Sequence, residues 1–209
     1  LVDSIPGNLF VVLHTYGSHF NYKERYPDAY SVFKPDYVAK IKKEYRPSMI
    51  NAYDNTVLYT DFILDQVISI LKSTGACASM LYASDHGEDL LDDKRNRFLH
   101  ASPTPTYYQL RIPLLLWFSD NYKELYADVV ANTEANRRTP ISTNTLFHTL
   151  LDLAHIETPY FDASRSLVNK GLENTVRMYL SDHDRPVPFY KSGIKKEDKL
   201  MIEKKQIAY

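Results

Sequence analysis

Short, unbroken apolar runs along the chain predict strands that are buried on both faces. Each run has about the length of a typical strand and is bounded by polar or turn-forming residues. Because the runs do not alternate between apolar and polar positions, they favour a sheet that is covered on both sides. The predicted strands are 9–13, 78–83 (which includes Ser79) and 112–118, and a possible last strand, with Arg177 inside it, lies at 176–180.

Helical periodicity fills much of the remaining sequence. From about Ser48 to Leu71, apolar residues recur on one face of a helix, with Ser48 at the N-cap position behind Pro47. A second helix is predicted at 143–153, and the charged segment 195–205 is predicted to be mobile or a short helix. Strands that alternate with helices predict an α/β fold with a mostly parallel central sheet flanked by helices.

Composition and charge narrow the function. The 209 residues, 44% of them hydrophobic, suffice for one sizeable domain. A net charge of −1 and a pI near 6.7 argue against binding to nucleic acid or to an anionic membrane. No apolar stretch approaches the ~20 residues that span a bilayer, and no signal peptide opens the sequence. The single cysteine, Cys77, excludes an intrachain disulfide, and its apolar neighbours predict a buried thiol.

The sequence starts abruptly, with Leu1 in place of Met and an apolar run from residue 9. We therefore expect it to be a piece of a longer polypeptide whose N-terminal part is missing here. Without that part, the chain exposes a sheet edge, and unpaired edges invite pairing with another chain. A dimer of the isolated chain is predicted for this reason.

The residues that can carry chemistry follow the predicted strands. Asp85-His86-Gly87-Glu88 comes directly after the strand at 78–83, where a carboxylate and an imidazole can reach one cation. Zinc accepts such mixed oxygen and nitrogen ligands, whereas magnesium and calcium prefer oxygen alone. His19 and His100 each end a loop that follows a predicted strand. If the strands are parallel, these loops open at one sheet edge, which suits a metal site with phosphate contacts.

The other histidines have plainer explanations. His14 is explained equally well by packing or hydrogen bonding at the strand end. His148 and His155 lie on or just after the second helix and are predicted to be structural. The triplet 181–183 repeats the Ser-Asp-His of 84–86 but continues without a glycine, and it is predicted to be a surface turn.

In combination, these motifs resemble the phosphoethanolamine transferases of the sulfatase and alkaline phosphatase superfamily. Order and spacing agree along about the first 120 residues, and beyond them the likeness is general. The sequence departs from the family pattern in its charged loop at 92–98, in Ala101 after His100, and in having one cysteine. The matching segments are 13–19, 25–27, 51–57, 82–88, 99–100 and 112–117.

The resemblance implies a role for each of the site residues. Asp85 and His86 are expected to be zinc ligands, at a site for one or two zinc ions. His19 and His100 are expected to be catalytic and substrate-binding, in contact with the phosphoryl group or with a second zinc, and His100 can also protonate the leaving group. Glu88 fits the family pattern without an implied ligand role. The threonine nucleophile of the family lies earlier in the chain, so it is absent from this sequence, and the isolated chain is expected to be inactive.

The resemblance also implies the setting. Residues 1–209 are expected to be the C-terminal portion of a single alkaline-phosphatase-like catalytic domain, with a charged tail at about 195–209. The expected reaction moves phosphoethanolamine from phosphatidylethanolamine to an envelope glycolipid such as lipid A, through a covalent threonine intermediate. The expected location is the periplasmic face of the inner membrane of a Gram-negative bacterium, with the anchor outside this chain. The alternatives are a phosphoglycerol transferase or sulfatase (a hydrolase) of the same superfamily, or a non-catalytic domain that retains the fold.

Overall fold

The computed structural model describes residues 6–100, 104–173, 176–180 and 185–205. Within them the chain forms two compact units, Leu1–Ala76 with Leu90–Leu99, and Cys77–Asp89 with His100–Tyr209. The helices are α1 (Arg46–Thr74), α2 (Tyr107–Leu110), α3 (Asp120–Leu125), α4 (Ala127–Asn136), α5 (Thr145–Leu153) and α6 (Lys196–Lys204). The strands are β1 (Ser79–Ala83), β2 (Asp89–Leu90), β3 (Phe98–Leu99), β4 (Leu114–Phe118), β5 (Met178–Leu180) and β6 (Pro186–Pro188). Single 3-10 turns lie at Tyr22–Glu24, Asp28–Tyr30, Lys43–Tyr45, Ala163–Arg165 and Phe189–Lys191.

Helix α1 is the main element of the first unit. Pro47 lies in its first turn, where a missing N–H costs no helical hydrogen bond, and Gly75 ends it in the left-handed conformation. The predicted helix is confirmed, but its N-cap lies three residues earlier than expected. Ser48 is buried inside the first turn, and Tyr45 occupies the N-cap position. Proline is favoured within the first turn of a helix, so Pro47 indicates the helix start better than the serine that follows it.

The core of the first unit packs against the N-terminal half of α1. Tyr22 is 1% exposed, and its ring meets those of Phe20 and Tyr53 edge to face at centroid distances of 5.5 and 5.3 Å. Such edge-to-face contacts add to the apolar area that aromatic side chains bury. The buried apolar residues of this core are Tyr22, Met49, Ala52, Leu90 and Leu91.

Residues 9–13 do not form the predicted strand. Phe10 and Val12 are 72% and 73% exposed, and no strand hydrogen bonding is present along the run. A strand exists only through the ladder that it shares with a neighbour, and none of the strands in the described residues pairs with this segment. The apolar pattern indicates side chains that favour burial, but the described residues do not bury them.

In the second unit, β1 and β4 form a two-stranded sheet. Ser79 pairs with Phe118 and Ala83 with Leu114, so the two strands are antiparallel. Both strands were predicted to within two residues, but the parallel orientation expected for them is wrong. Apolar runs report burial and carry no information on direction, and antiparallel strands are common in otherwise parallel α/β sheets. β5 and β6 are also antiparallel, and β5 confirms part of the strand expected at 176–180.

The helices of the second unit cover this sheet pair. Helix α5 confirms the helix predicted at 143–153, whereas α3 and α4 were not predicted. Ser119 caps α3, because its hydroxyl accepts a hydrogen bond from the Tyr122 N–H. The buried apolar residues of this core are Phe118, Tyr122, Val129, Leu153, Leu167 and Val168.

The structure settles two smaller expectations. Cys77 is exposed, because it lies in the connection from α1 to β1 and not within the strand, so the predicted buried thiol is wrong. The charged segment after residue 195 forms α6, whose Asp198 and Ile202 are buried. Among the described residues, no helix has the length and apolar character needed to cross a bilayer.

Candidate metal and phosphoryl site

The end of β1 carries residues 84–88, here called the aspartate loop. The Ser84 N–H donates to the Pro113 carbonyl at 3.4 Å, and the Ser84 hydroxyl donates to the His86 carbonyl at 2.8 Å. The His86 N–H donates to the Asp85 carboxylate at 3.0 Å, which turns the backbone locally. The strand and these short-range bonds fix the direction in which the loop leaves the sheet.

Gly87 fits the loop closely against the backbone of α2. Its N–H donates to the Gln109 carbonyl at 2.8 Å. A Cβ at this position would overlap the Tyr108 carbonyl oxygen and lie 3.3 Å from the Arg111 carbonyl oxygen. Only glycine allows two backbones to approach this closely, so the loop is held by main-chain packing.

His86, Glu88 and His100 come together at the end of this loop. Each offers one ligand atom, and those atoms all lie within 4.8 Å of one another. The two imidazole rings have centroids 3.7 Å apart at an interplanar angle of 32°. Glu88 is 9% exposed, and its Oε1 lies 3.1 Å from His100 Nδ1. Two nitrogens and a carboxylate oxygen at this spacing form a donor set that suits zinc.

Asp85 lies at the margin of this group. Its side chain is 89% exposed, and its Oδ2 is 3.8 Å from His86 Nε2. The structure therefore places the two predicted metal ligands side by side and adds Glu88 and His100 to them. Burial raises the pKa of the neighbouring Tyr82, and the Asp85 charge raises it further.

Glu88 was not predicted to take part in the site. Its partner His100 lies twelve residues further on, and no sequence pattern predicts that the two side chains meet.

The backbone that follows Glu88 is anchored by buried polar groups. Asp89 is 3% exposed and accepts hydrogen bonds from the Thr106 hydroxyl at 2.9 Å and the Gln109 amide at 2.5 Å. Asp198, at the start of α6, is 1% exposed and accepts from the Tyr107 N–H at 2.9 Å. Helix α6 therefore supports α2, which in turn holds Gly87 and Asp89.

His19 lies in the first unit, at the end of residues 14–19, here called the histidine loop. The residue is exposed, and its Nδ1 is 2.5 Å from the Phe20 carbonyl oxygen. Whether His19 joins His86 and His100 stays a prediction.

The other histidines divide as follows. His14 is exposed, so it does not pack into the core. His148 is 8% exposed and its Nδ1 accepts a hydrogen bond from the Asp162 N–H at 3.1 Å. The His155 ring lies against Tyr126 at a centroid distance of 4.0 Å. The contacts of these last two agree with the structural roles predicted for them, while Ser181-Asp182-His183 lies outside the described residues.

The three histidines implicated in chemistry share one feature. In each, Nδ1 faces an oxygen acceptor: the Phe20 carbonyl for His19, the Gly87 carbonyl at 3.1 Å for His86, and Glu88 for His100. An Nδ1–H that donates to such an acceptor leaves Nε2 as the basic nitrogen of a neutral ring. Metal-binding histidines are oriented in this way, with the second nitrogen tied to a carbonyl or carboxylate.

Sequence comparison places the chain in a family. Residues 3–156 match the family model described as Sulfatase, and the chain therefore belongs to the sulfatase family. Its fold is of the alkaline-phosphatase-like class, as predicted.

Its similar proteins are phosphoethanolamine transferases. The chain is 35% identical over 174 residues to phosphoethanolamine transferase EptA of Salmonella typhimurium, an alignment that covers 80% of this chain and 31% of that protein. The C-terminal periplasmic domain of Escherichia coli EptC superposes with a TM-score of 0.68 at 27% identity, covering 84% of this chain and 50% of that one. The integral membrane protein lipooligosaccharide phosphoethanolamine transferase A (EptA) of Neisseria meningitidis superposes with a TM-score of 0.67 at 31% identity, covering 74% and 30%. The chain thus spans about a third of the length of the curated relatives it matches.

Proposed function

We propose that this chain is the C-terminal portion of the catalytic domain of a zinc-dependent phosphoethanolamine transferase. The donor is phosphatidylethanolamine, and the acceptor is an envelope glycolipid of the lipid A class. One observation carries the proposal: His86, Glu88 and His100 converge at a strand end in a chain that is 35% identical to a phosphoethanolamine transferase.

The metal proposal rests on the chemistry of the donors. His86 binds zinc through one ring nitrogen while its Nδ1 stays with the Gly87 carbonyl. Asp85, whose carboxylate lies beside His86 Nε2, is the second ligand, and Glu88 and His100 complete the group of available donors. Bound zinc supplies Lewis-acid polarisation of phosphoryl oxygens and lowers the pKa of a hydroxyl nucleophile.

The role of Glu88 is to hold His100. Its carboxylate accepts a hydrogen bond from Nδ1 and fixes the orientation of the ring. When Nε2 also carries a proton, His100 can neutralise charge on a phosphoryl oxygen or give that proton to the departing oxygen of the donor lipid. His19 carries the same phosphoryl-binding role from the histidine loop.

The nucleophile is a threonine outside these 209 residues, and the covalent intermediate forms there. This is why the chain is proposed to work as one part of a larger catalytic domain and to be inactive alone. The names of the E. coli and Neisseria proteins mention the periplasm and the membrane. By analogy we place this chain on the periplasmic side of an inner membrane, with its anchor elsewhere in the polypeptide.

Zinc titration of the 209-residue chain tests the metal site. We expect stoichiometric zinc by elemental analysis, and a loss of affinity of at least about 100-fold in His86→Ala. Asp85→Ala and Glu88→Gln then separate a ligand from an orienting carboxylate, because an orienting group costs about 10- to 100-fold. Asp120→Ala is the matched control, since its side chain is 98% exposed. Absence of zinc from both this chain and the longer polypeptide would refute the mechanism.

Transfer itself is tested in the polypeptide that also contains the upstream segment. Mass spectrometry of lipid A should show the mass of one added phosphoethanolamine group, and the addition should vanish in His86→Ala. A trapped phosphoglycerol adduct, or a modified cysteine or serine as nucleophile, would instead identify another enzyme of the superfamily. Neither zinc nor transfer in the wild type would favour the non-catalytic alternative.

The apolar run at 9–13 supports a further expectation for the isolated chain. Its exposed side chains, such as Phe10 and Val12, have no covering strand in the described residues, and we infer that two copies associate through them. Light scattering should show a dimer that Val12→Lys converts to monomer. A monomer over a wide concentration range would contradict this inference.

A further inference from the structure

Arg25 contacts the histidine loop at three points. Its Nε donates to the His19 carbonyl at 3.0 Å, and an Nη donates to the Phe20 carbonyl at 3.4 Å. Its guanidinium carbon lies 4.7 Å from the centroid of the Tyr16 ring, in cation–π geometry. One planar group thus holds two successive carbonyls at one end of the loop and an aromatic ring near the other.

These contacts converge on the imidazole of His19. The Phe20 carbonyl that accepts from Arg25 is also the one that faces His19 Nδ1. The Tyr16 ring under the guanidinium meets the His19 ring edge to face, at a centroid distance of 5.9 Å. The His19 N–H donates to the Tyr16 carbonyl at 3.1 Å and closes the turn. An exposed imidazole would otherwise sample several rotamers and both neutral tautomers.

We propose that Arg25 is a positioning residue for His19. By fixing the Phe20 carbonyl and the Tyr16 ring, it keeps the imidazole in one orientation, as the tautomer with the proton on Nδ1. Nε2 is then the ring nitrogen left to bring a proton to a phosphoryl oxygen, so the inference rests on the proposed function in this last step only. Lysine cannot replace arginine here, because an ammonium lacks the fork that reaches two carbonyls and the flat face that stacks on a ring.

The first experiment reads the imidazole directly, without any enzyme activity. Nitrogen-15 NMR of the 209-residue chain, recorded in alkaline buffer where imidazoles are neutral, should show His19 as the tautomer with the proton on Nδ1. In Arg25→Lys we expect the two nitrogen shifts to move toward those of a tautomer mixture, while the unfolding midpoint stays close to wild type. Arg137→Lys is the matched control, because Arg137 only pairs with Glu134 on an exposed helix end. Unchanged His19 shifts in Arg25→Lys would overturn the proposal.

The second experiment measures the consequence in the longer polypeptide that carries out transfer. Arg25→Lys should lower kcat by about 10- to 100-fold with little change in KM, because a small displacement of a positioned group acts on the transition state. In His19→Ala, the added Arg25→Lys change should cost nothing further. A full additional loss in that double variant, or normal kcat in Arg25→Lys where His19→Ala is impaired, would overturn the positioning role. If the wild-type polypeptide transfers nothing, the proposed function fails while the NMR result still decides the role of Arg25.

Discussion

The aspartate loop and the histidine loop both follow apolar runs, yet they are held in different ways. The run before the aspartate loop is strand β1, paired with β4 along its whole length, and Gly87 locks the loop against the α2 backbone. The run before the histidine loop forms no strand, and side chains hold that loop instead. Arg25 contacts its carbonyls, and Thr56 of α1 bonds Ser18.

The way in which each loop is held determines which substitutions that loop can tolerate. Main-chain packing leaves no room for an added atom, because backbone cannot move aside cheaply. A side-chain scaffold distributes its support over several hydrogen bonds, so single losses cost less and add up. Substitutions in the two units can therefore be compared by the stability that each one costs.

Gly87→Ala should damage the aspartate loop more than any other single change. The added methyl overlaps the Tyr108 carbonyl oxygen and lies 3.2 Å from the Tyr108 carbonyl carbon, so either β1 or α2 must shift. We expect a loss of at least about 3 kcal/mol in urea unfolding, together with loss of zinc binding. Gly171→Ala is the control, because among the described residues the methyl there meets the Asn169 side chain and no backbone atom within 4 Å. Equal stabilities for the two variants would show that the loop is not held by main-chain packing.

Asn55→Ala should be the most damaging change among the side-chain hydrogen bonds that support the first unit. Asn55 is fully buried, and its side chain accepts from the Val32 and Phe33 N–H groups at 3.0 and 2.9 Å and donates to the Phe33 carbonyl at 3.0 Å. The truncation leaves these backbone groups without their partner, which should cost about 2–4 kcal/mol. Asn51→Ala, one turn earlier in α1, removes a single exposed bond to Pro35 and should cost under about 1 kcal/mol. Similar losses of stability in both variants would show that the buried hydrogen bonds of Asn55 stabilise the unit no more than the exposed bond of Asn51 does.

Asp36 should make the first unit sensitive to acid. Burial alone would raise the pKa of Asp36, but hydrogen bonds from Ser31, Lys23 and Tyr26, with the Lys23 charge, outweigh it and lower the pKa to about 2. Because the folded pKa lies below the unfolded value, the stabilisation is present in full above pH ~4 and is lost as the pH falls toward 2.

The stabilisation that ionised Asp36 provides is about 2 kcal/mol at neutral pH. Urea titrations at a series of pH values should show this loss in the wild type and a flatter profile in Asp36→Asn. Asp28→Asn is the control, because the Asp28 side chain is fully exposed. An identical acid profile for wild type and Asp36→Asn would show that the Asp36 carboxylate does not stabilise the first unit.

The apolar pattern of the sequence predicted the helices and strands whose burial follows a fixed period. The apolar face of α1 and the runs at β1 and β4 were visible in sequence because burial there follows a fixed period. Helix α4 was missed because Val129 is its single buried residue, which leaves no apolar stripe. The direction of β4 relative to β1 was not predictable, since strand direction depends on connections that the periodicity does not record.

The site shows the same division. The position of Asp85 and His86 just after β1 was predictable, because the apolar run marks where the strand ends. The pairing of Glu88 with His100 depends on how the segment between them folds back, and nothing in the residues themselves fixes that path. Asn55 and Arg25 belong to motifs noticed in the sequence, but their work as supports became visible only through their hydrogen-bond partners.

Thr56→Val should be the gentlest test of the side-chain scaffold. Thr56 is 1% exposed, and its hydroxyl lies 2.6 Å from both the Ser18 hydroxyl and the Tyr53 carbonyl. Since the hydroxyl has one proton, it donates to Tyr53 and accepts from Ser18. Valine keeps the shape and removes both bonds, at a cost of about 1 kcal/mol.

The matched control is Thr60→Val, whose hydroxyl bonds only the Thr56 carbonyl one turn earlier in α1. Both variants remove one helical hydroxyl, so a difference between them isolates the tie between Thr56 and the histidine loop. Amide hydrogen exchange at Ser18 and His19 should quicken in Thr56→Val and stay unchanged in Thr60→Val. Because Arg25 still holds the His19 and Phe20 carbonyls and the Tyr16 ring, the faster exchange should be confined to residues near Ser18. If exchange instead rises across the whole first unit, Thr56 supports the α1 core and not the loop in particular.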